Sequence, residues 1–383
     1  MKFLHTSDLH LGKRLHEMPL IDDQRHILSE ICRIAEENNC DAVVAAGDIY
    51  DKSAPSAEAV ALFDRFVTEL HEKGIALIAN YGNHDSADRV GFASALLSKN
   101  GVFLSPRFDG KVEKAIFRDE YGEVRVHLLP FLKPVTVTAT CPDGDFDSWD
   151  GALGYAIGLA EADFSQRNVI VCHQFVTGGE RSESEEVNVG GADNVSASLF
   201  DGFDYVALGH LHKPQRIACD TVRYSGSPLK YSLDEHNSEK SVVIVTLSEK
   251  GRCDTETVPL VPLHDVRRLC GTYEELTLRR NYEGTETEDY FHVVLLDEDY
   301  IPDALYRLRT IYPNIMKLEY ANIRSAHNAD MDEVSDALAG EEEMTPSEMF
   351  EALYRVQNNA PMSESERSLS ERIFERLNRE DGV

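Results

Sequence analysis

Asp41-Ala42-Val43-Val44-Ala45-Ala46-Gly47-Asp48 reads as a short, wholly apolar strand that runs into a glycine and then a carboxylate. A continuous apolar run of this length, bounded by turn residues, is the pattern of a strand covered on both faces. The same grammar recurs outward along the chain. Ile75-Ala76-Leu77-Ile78-Ala79-Asn80-Tyr81-Gly82 leads into Asn83, and Asp204-Tyr205-Val206-Ala207-Leu208-Gly209 leads into His210. Further strands are predicted at Phe3–Thr6, Val124–Leu129, Val169–Cys172 and Val242–Leu247. Helices are predicted over Asp22–Asn38, with Ile27, Ile31 and Ile34 on one face, and over Ala57–Lys73, with Val60, Phe63, Val67 and Leu70 on one face. Strand and helix alternate, which indicates an α/β core. Functional residues of open α/β sheets gather in loops beyond the carboxyl ends of strands, and a glycine ahead of each polar residue suits the sharp turn such a loop needs.

Five short blocks of metal-ligand residue types stand at such positions: Asp8-Leu9-His10, Gly47-Asp48, Gly82-Asn83-His84-Asp85, His173, and Gly209-His210-Leu211-His212. In an extended segment, residues two apart point the same way, so Asp8 with His10, and His210 with His212, can each reach a single ion. Carboxylate, amide oxygen and imidazole form a mixed set suited to divalent ions such as manganese, iron or zinc. Two such ions a few ångströms apart are a known device for hydrolysing phosphate esters.

The bulk composition sets limits. The chain has 383 residues, 42% of them hydrophobic, enough for one large domain and one or two small ones. Its start lacks the apolar core of a secretion signal, and seven dispersed cysteines without a CxxC pair argue against a disulfide framework; a reducing, cytoplasmic compartment is expected. The formal charge of −30 counts against a nucleic-acid substrate on composition alone. Basic residues nevertheless follow most of the ligand blocks: Lys13 and Arg14, Lys52, Arg89, Arg181, Lys213 and Arg216. They read either as ordinary surface bases among Asp51, Asp88 and Glu180 or as DNA contacts.

The ordered blocks resemble the calcineurin-like metallophosphoesterase superfamily, whose signature runs DxH, GDxxD, GNH[DE], H, GHxH; Asp48-Ile49-Tyr50-Asp51 completes the second block. The resemblance implies a four-layer α/β/β/α sandwich. It implies that one ion takes Asp8, His10 and His212, that a second takes Asn83, His173 and His210, and that Asp48 bridges them. It gives His84 a catalytic role outside the ligand set, stabilising the transition state or protonating the departing oxygen, which histidine does near neutral pH. Asp51 and Asp85 are candidates for orienting the ligand imidazoles.

The texture changes beyond residue 270, and residues 1–270 are expected to form the metallophosphoesterase domain. A polar stretch at Glu283–Asp289 precedes a predicted strand Tyr290–Leu296, helix Pro302–Ile311 and strand Ile315–Tyr320, a small α+β capping domain placed at 271–329. An acidic linker is placed at 330–344. Residues 345–383 then carry two capping-box signatures, Thr345-Pro346-Ser347-Glu348 and Ser363-Glu364-Ser365-Glu366, each opening a helix. Their apolar faces are Met349, Phe350, Leu353 and Tyr354 in one, and Leu369, Ile373, Phe374 and Leu377 in the other. A helix pair this small must dock, on its own chain or on a partner, and the acidic tether favours a partner.

The text around the motifs narrows the resemblance: Ser7-Asp8-Leu9-His10-Leu11-Gly12, Ser182-Glu183-Ser184-Glu185, Phe203 to His212, and Tyr224-Ser225-Gly226-Ser227-Pro228-Leu229 are similar to the SbcD family, the nuclease subunits of bacterial SbcCD complexes. That likeness implies manganese-dependent DNA cleavage in repair, recombination and replication, as a 3′→5′ exonuclease on duplexes and an endonuclease on single-stranded or hairpin DNA. It also implies an SbcC-type ATPase that binds the terminal helices, and a homodimer of nuclease subunits within a heterotetramer. ATP would act through that partner, since the chain has no GxxxxGK[ST] loop. Two other readings stand beside it. One is a phosphomonoesterase or cyclic-nucleotide phosphodiesterase of the same superfamily, which leaves the terminal helices unexplained. The other is a scaffold with structural metals only, against which the intact His84 counts.

Overall fold

The computed structural model describes residues 1–141, 144, 146–182, 185, 193–321, 350–351, 354 and 362–380. The chain divides into two compact units, Met1–Val266 and Arg267–Val383.

The first unit is built on two six-stranded sheets. In one, the order is Cys253–Pro259, Ser241–Leu247, Lys2–Ser7, Ala42–Ala46, Ala76–Asn80, Val102–Leu104. The apolar run quoted at the outset is its centre: Ala42–Ala46 pairs in parallel with Lys2–Ser7 on one side, Ser7 opposite Ala46, and with Ala76–Asn80 on the other, Ala46 opposite Asn80. The second sheet runs Gln215–Ile217, Cys219–Tyr224, Tyr205–Gly209, Arg167–His173, Gly122–Leu129, Glu113–Asp119, and its central strands are again parallel, with Gly209 opposite His173.

The sheets face one another across a core of Phe3, Ala42, Val44 and Ile78 from the first and Val126, Val169, Val171, Tyr205 and Ala207 from the second. On the outer side of the second sheet, Leu153 and Ala156 of the helix Trp149–Gly158 pack with Ile170, Val206 and Leu208. Helices Ile21–Glu37 and Ala57–Glu72 belong to the first sheet's side, giving the α/β/β/α order. Strands in the middle of either sheet are buried on both faces, which explains why they read as apolar runs rather than as alternation.

One helical face differs from the periodicity reading. In Ala57–Glu72 the buried residues are Ala59, Leu62, Phe63, Phe66 and Leu70, whereas Val60 is exposed. The stripe is turned by about one residue because the two large aromatics, Phe63 and Phe66, both go inward, and their area outweighs that of a valine. Ser56 caps this helix, its hydroxyl accepting from the Ala59 N–H at 3.2 Å.

The second unit is built on a three-stranded sheet of Val266–Gly271, Tyr290–Leu295 and Ile315–Tyr320, whose first strand begins at the closing residue of the first unit. Leu276, Phe291, Val293, Leu295, Leu308, Tyr312 and Ile315 form its core. The helix expected over Pro302–Ile311 covers only Ala304–Leu308: Asp303 lies at φ 55°, a left-handed conformation that no helix continues through, so Pro302 sits in the turn before it. Asp289, at the end of the expected polar connection, is buried and pairs with Arg267 at 2.5 Å. Farther on, Ser363 and Glu366 form the expected capping box at the start of helix Glu364–Glu380. The 330–344 stretch, Met349 and Leu353 lie outside the described residues, as does the side chain of Leu377. Among the described residues no helix is long and apolar enough to cross a membrane, and the seven cysteines are free thiols.

Candidate metal centre

The five blocks meet where the parallel strands of the two sheets end. Asp8 follows Lys2–Ser7, Gly47 and Asp48 follow Ala42–Ala46, Asn83 and His84 lie just beyond Ala76–Asn80, His173 closes Arg167–His173, and His210 follows Tyr205–Gly209. Backbone and side chain stitch these ends together across the sheets. The Asp8 N–H donates to the Gly47 carbonyl at 3.2 Å, the His210 N–H donates to Asp8 Oδ1 at 3.0 Å, and the His84 N–H donates to Asp48 Oδ1 at 2.9 Å. Asp8, His10, Asp48, His173, His210 and His212 are all buried.

Four of these residues adopt left-handed backbone: Asp8 at φ 52°, His10 at 43°, Asp48 at 45° and His210 at 105°. Non-glycine residues rarely do so, and clusters of such strain mark functional sites. The glycines ahead of them serve two different purposes. Gly47 has φ +78°, as the turn argument expects. Gly82 and Gly209 are not left-handed; they are required because a Cβ would stand 2.1 Å from Asp48 Oδ1 in one and 1.7 Å from the Ala46 carbonyl oxygen in the other.

Two donor groups emerge. In the first, ligand atoms of Asp8, His10 and His212 lie within 4.8 Å of one another, with Nε2 of His10 only 3.1 Å from Nε2 of His212. In the second, Asn83 Oδ1 stands 3.1 Å from both His173 Nε2 and His210 Nδ1. Asp48 lies between them, its Oδ2 3.7 Å from His10 Nε2 and 3.2 Å from His173 Nε2.

The polarity of these atoms tests whether cations fit. His173 Nδ1 faces the Ala46 carbonyl at 2.9 Å, and a carbonyl only accepts, so Nδ1 carries the hydrogen. In a neutral ring Nε2 would aim its lone pair at two further acceptors, Asn83 Oδ1 and Asp48 Oδ2, so the arrangement calls for positive charge at this atom: a cation, or a second ring proton where none is bound. His10 Nδ1 is in addition buried without a hydrogen-bond partner. The donor set fits divalent ions: Asp8, His10 and His212 could hold one, Asn83, His173 and His210 a second, and Asp48 could touch both.

The electrostatics agree. Burial pushes His10 well below its ordinary pKa and His210 down to about 3, so both rings are neutral and their lone pairs available at pH 7. For His173 burial works the same way but is overridden by the Asp48 carboxylate, which lifts it to about 9. Burial likewise opposes ionisation of Asp48, yet the His173 imidazolium, by charge and hydrogen bond, is foremost in holding it far below the carboxylate range.

His84 is half-buried beside this array, its ring edge-on to His10 with centroids 4.8 Å apart, and its Nδ1 faces the Asp51 carbonyl at 3.0 Å. Asp51 and Asp85 behave unlike one another. Asp51 Oδ1 lies 3.8 Å from His10 Nδ1, beyond hydrogen-bond reach, and takes Lys13 Nζ at 2.9 Å. Asp85 accepts from the N–H groups of Ile49, Tyr50 and Gly82, so it ties the second and third loops together instead of orienting an imidazole. Burial first, and then Asp48, push its carboxyl up to about 6.

Of the basic residues, Lys13 pairs with Asp51, Arg181 with Asp193, Lys213 with Glu180 and Arg216 with Asp220, while Arg14 donates to the Glu17 carbonyl. Lys52 and Arg89 are exposed. Arg181 also lies over the Phe175 ring at 3.8 Å.

Several residues that support the site carry no local signal in the sequence. Gln24 accepts from the Gly12 N–H at 2.9 Å and donates to the His10 carbonyl at 2.7 Å, and Tyr231 donates to the Leu9 carbonyl at 2.5 Å. Glu185, within the quoted Ser182–Glu185 stretch, accepts the His212 N–H at 2.5 Å. Glu235 and Lys240 lie behind His212.

Comparison with known proteins bears on the whole chain. Residues 1–214 match the family described as Calcineurin-like phosphoesterase, and residues 262–358 match that described as Type 5 capsule protein repressor C-terminal domain. The SbcD subunit of the nuclease SbcCD from Staphylococcus epidermidis is 31% identical over 338 residues, 87% of this chain and 88% of that protein. Among solved structures, a dimetal phosphatase from Danio rerio is 14% identical with a TM-score of 0.42, over 69% of this chain and 98% of that one. A protein of Thermus thermophilus is 13% identical with a TM-score of 0.38, over 67% and 98%. Those two likenesses are too distant to carry weight. The first family spans more than half of the sequence and the curated relative nearly all of it, and so the chain belongs to the calcineurin-like phosphoesterases and, within them, to the SbcD family.

Proposed function

We propose that this chain is the nuclease subunit of an SbcCD-type complex, a metal-dependent phosphodiester hydrolase that cuts DNA together with an SbcC-type ATPase. The observation that carries the reading is the gathering of Asp8, His10, Asn83, His173, His210 and His212 around Asp48, with His84 beside them and within 4.8 Å of donor atoms of His10 and Asp48. The likeness to a nuclease subunit along most of the chain supports it.

Roles follow from the chain's own groups. Asp8, His10 and His212 would hold one divalent ion, most simply manganese, and Asn83, His173 and His210 a second, with Asp48 shared. Such ions, when bound, act as Lewis acids on a phosphate ester and acidify water. His10 and His210 contribute neutral rings, Asp48 contributes charge, and the Ala46 carbonyl keeps His173 Nε2 turned toward the donors. His84 Nδ1 donates to the Asp51 carbonyl, so it is the imidazolium form of the ring, protonated also at Nε2, that would pass the Nε2 proton to a departing oxygen and be left neutral. For DNA contact, Lys52 and Arg89 come first, because Lys13, Arg181, Lys213 and Arg216 must give up carboxylate partners to bind phosphate. The finer reading is a 3′→5′ duplex exonuclease and single-strand or hairpin endonuclease, serving DNA repair, recombination and replication in the cytoplasm. The assembly would be a homodimer of nuclease subunits within a heterotetramer.

The test compares a labelled DNA duplex with a small phosphodiester in the presence of manganese, for wild type and His84→Ala. DNA cleavage that falls about 100-fold or more in the variant, with manganese uptake retained, is expected of a lost proton donor. Turnover confined to the small ester in the wild type would sink the nuclease reading and favour a small-phosphoester hydrolase.

A further inference from the structure

Among the described residues, His212 is held unlike the other candidate ligands. His173 is oriented by one backbone carbonyl. His212 has three buried charged side chains around it. Its N–H donates to Glu185 Oε1, its carbonyl accepts from Lys240 Nζ at 2.7 Å, and its ring Nδ1 lies 3.6 Å from Glu235 Oε1. Lys240 and Glu235 are themselves paired, Nζ to Oε2 at 2.5 Å, with side chains only 4% and 3% exposed. Lys240 completes its donors with Ser227 Oγ at 2.9 Å, and the Ser227 N–H returns to the same His212 carbonyl at 3.1 Å.

Burying an ion pair is expensive and by itself adds little stability; a well-packed apolar pair would serve the fold as well. This pair must therefore be explained by what it touches, and both members touch one histidine from opposite ends. A carboxylate behind an imidazole fixes its tautomer and raises its basicity toward a cation, and loss of such a partner commonly weakens metal binding about 10- to 100-fold.

We propose that Glu235 and Lys240 are positioning residues for His212: Glu235 sets the ring's tautomer and direction, and Lys240 anchors both Glu235 and the His212 backbone. The ion shared by Asp8, His10 and His212 then depends on them, while the one at Asn83, His173 and His210 does not. The inference rests on the metal-binding part of the function proposed above and is independent of whether the substrate is DNA.

The test is calorimetric titration of the metal-stripped full chain with manganese, for wild type, Glu235→Gln, and the double variant Glu235→Gln with Lys240→Met. The double variant removes both members of the ion pair together, so Lys240 is not left buried without its carboxylate as it is in the single one. Circular dichroism and a thermal melt accompany each titration. The expected result is about a 10- to 100-fold loss of affinity in one of two binding steps, with the other within about twofold of wild type. A merely structural role would weaken both steps together or neither, and either outcome in a folded variant overturns the proposal. A wild type that takes up no manganese overturns it together with the metal centre, whereas a wild type that binds two ions but leaves DNA intact removes only the nuclease reading.

Discussion

At the residue scale, the site is a set of side chains held in place by uncomfortable backbone. Asp8, His10, Asp48 and His210 all sit at positive φ, where an L-residue costs about 1–2 kcal/mol each. The neighbouring loops hold them there, Asp85 by accepting three N–H groups and Gln24 by bracketing His10 and Gly12. Residue types and their order were legible because each block is local. What Asp85 does was not, since its donors lie on two loops that only the sheet brings together. Gly47 offers a direct check. A methyl there would meet His173 Nδ1 at 2.1 Å and strain a backbone at φ +78°. Gly47→Ala should therefore destabilise the fold by at least about 1–2 kcal/mol and turn the His173 ring off the Ala46 carbonyl. A thermal melt and a manganese titration would show both effects. A variant that melts with the wild type and binds equally well would disprove the close approach.

At the element scale, strands were read more faithfully than helices. Ala42–Ala46 and Ile315–Tyr320 are where their composition puts them; the first is covered on both faces and so apolar at every position. Helix Ala57–Glu72 turned toward Phe63 and Phe66, and helix Ala304–Leu308 lost its first turn to Asp303, both decided by packing and local backbone that periodicity does not register. Strand Arg167–His173 joins the legible to the illegible. Its last residue belongs to the candidate metal centre, and its first, Arg167, clasps Asp119 bidentately at 2.9 and 2.5 Å while donating to the carbonyls of Ser248 and Gly122. Arg167 thereby ties the second sheet to the segment following Ser241–Leu247 of the first. Its guanidinium holds the Asp119 carboxyl well below the usual range. A carboxyl depressed in the folded state stabilises wherever the unfolded chain's is also ionised, above about pH 4, and that contribution drains away as pH falls through the folded value. Asp119→Asn should lower the melting temperature at pH 7, with the gap to wild type closing progressively below about pH 4. A gap that stays constant from about pH 7 to about pH 3 would assign the clasp no electrostatic role.

At the scale of the whole molecule, the charge of −30 and the terminal helix raise the same question, namely what the chain meets beyond itself. An acidic protein gains little from DNA through bulk electrostatics, so the proposed DNA affinity would have to come from local cations, the candidate metal centre and a partner. Helix Glu364–Glu380 is where the proposed partner would dock. Its capping box was legible because it is written in four consecutive residues, and it forms as read. Leu369 and Ile373, four apart on one face, remain 52% and 50% exposed, whereas Phe374 meets the Phe350 ring at 5.7 Å. Spacing identified these apolar residues without telling which face this chain would leave uncovered. Complete burial of a leucine or isoleucine side chain is worth about 1.5–3 kcal/mol, and each of these has roughly half of that still to gain. Leu369→Asp with Ile373→Asp should lower the melting temperature of the isolated chain modestly, since each side chain is only half buried. The same pair should weaken association with an SbcC-type ATPase by about 100-fold or more, because two charges would have to be desolvated where two apolar groups were to be covered. Co-purification of the two chains, together with manganese-dependent turnover of a small phosphodiester, separates the possibilities. Lost association with turnover intact is the expected pattern; undiminished co-purification would mean that this face of the helix serves something other than the ATPase.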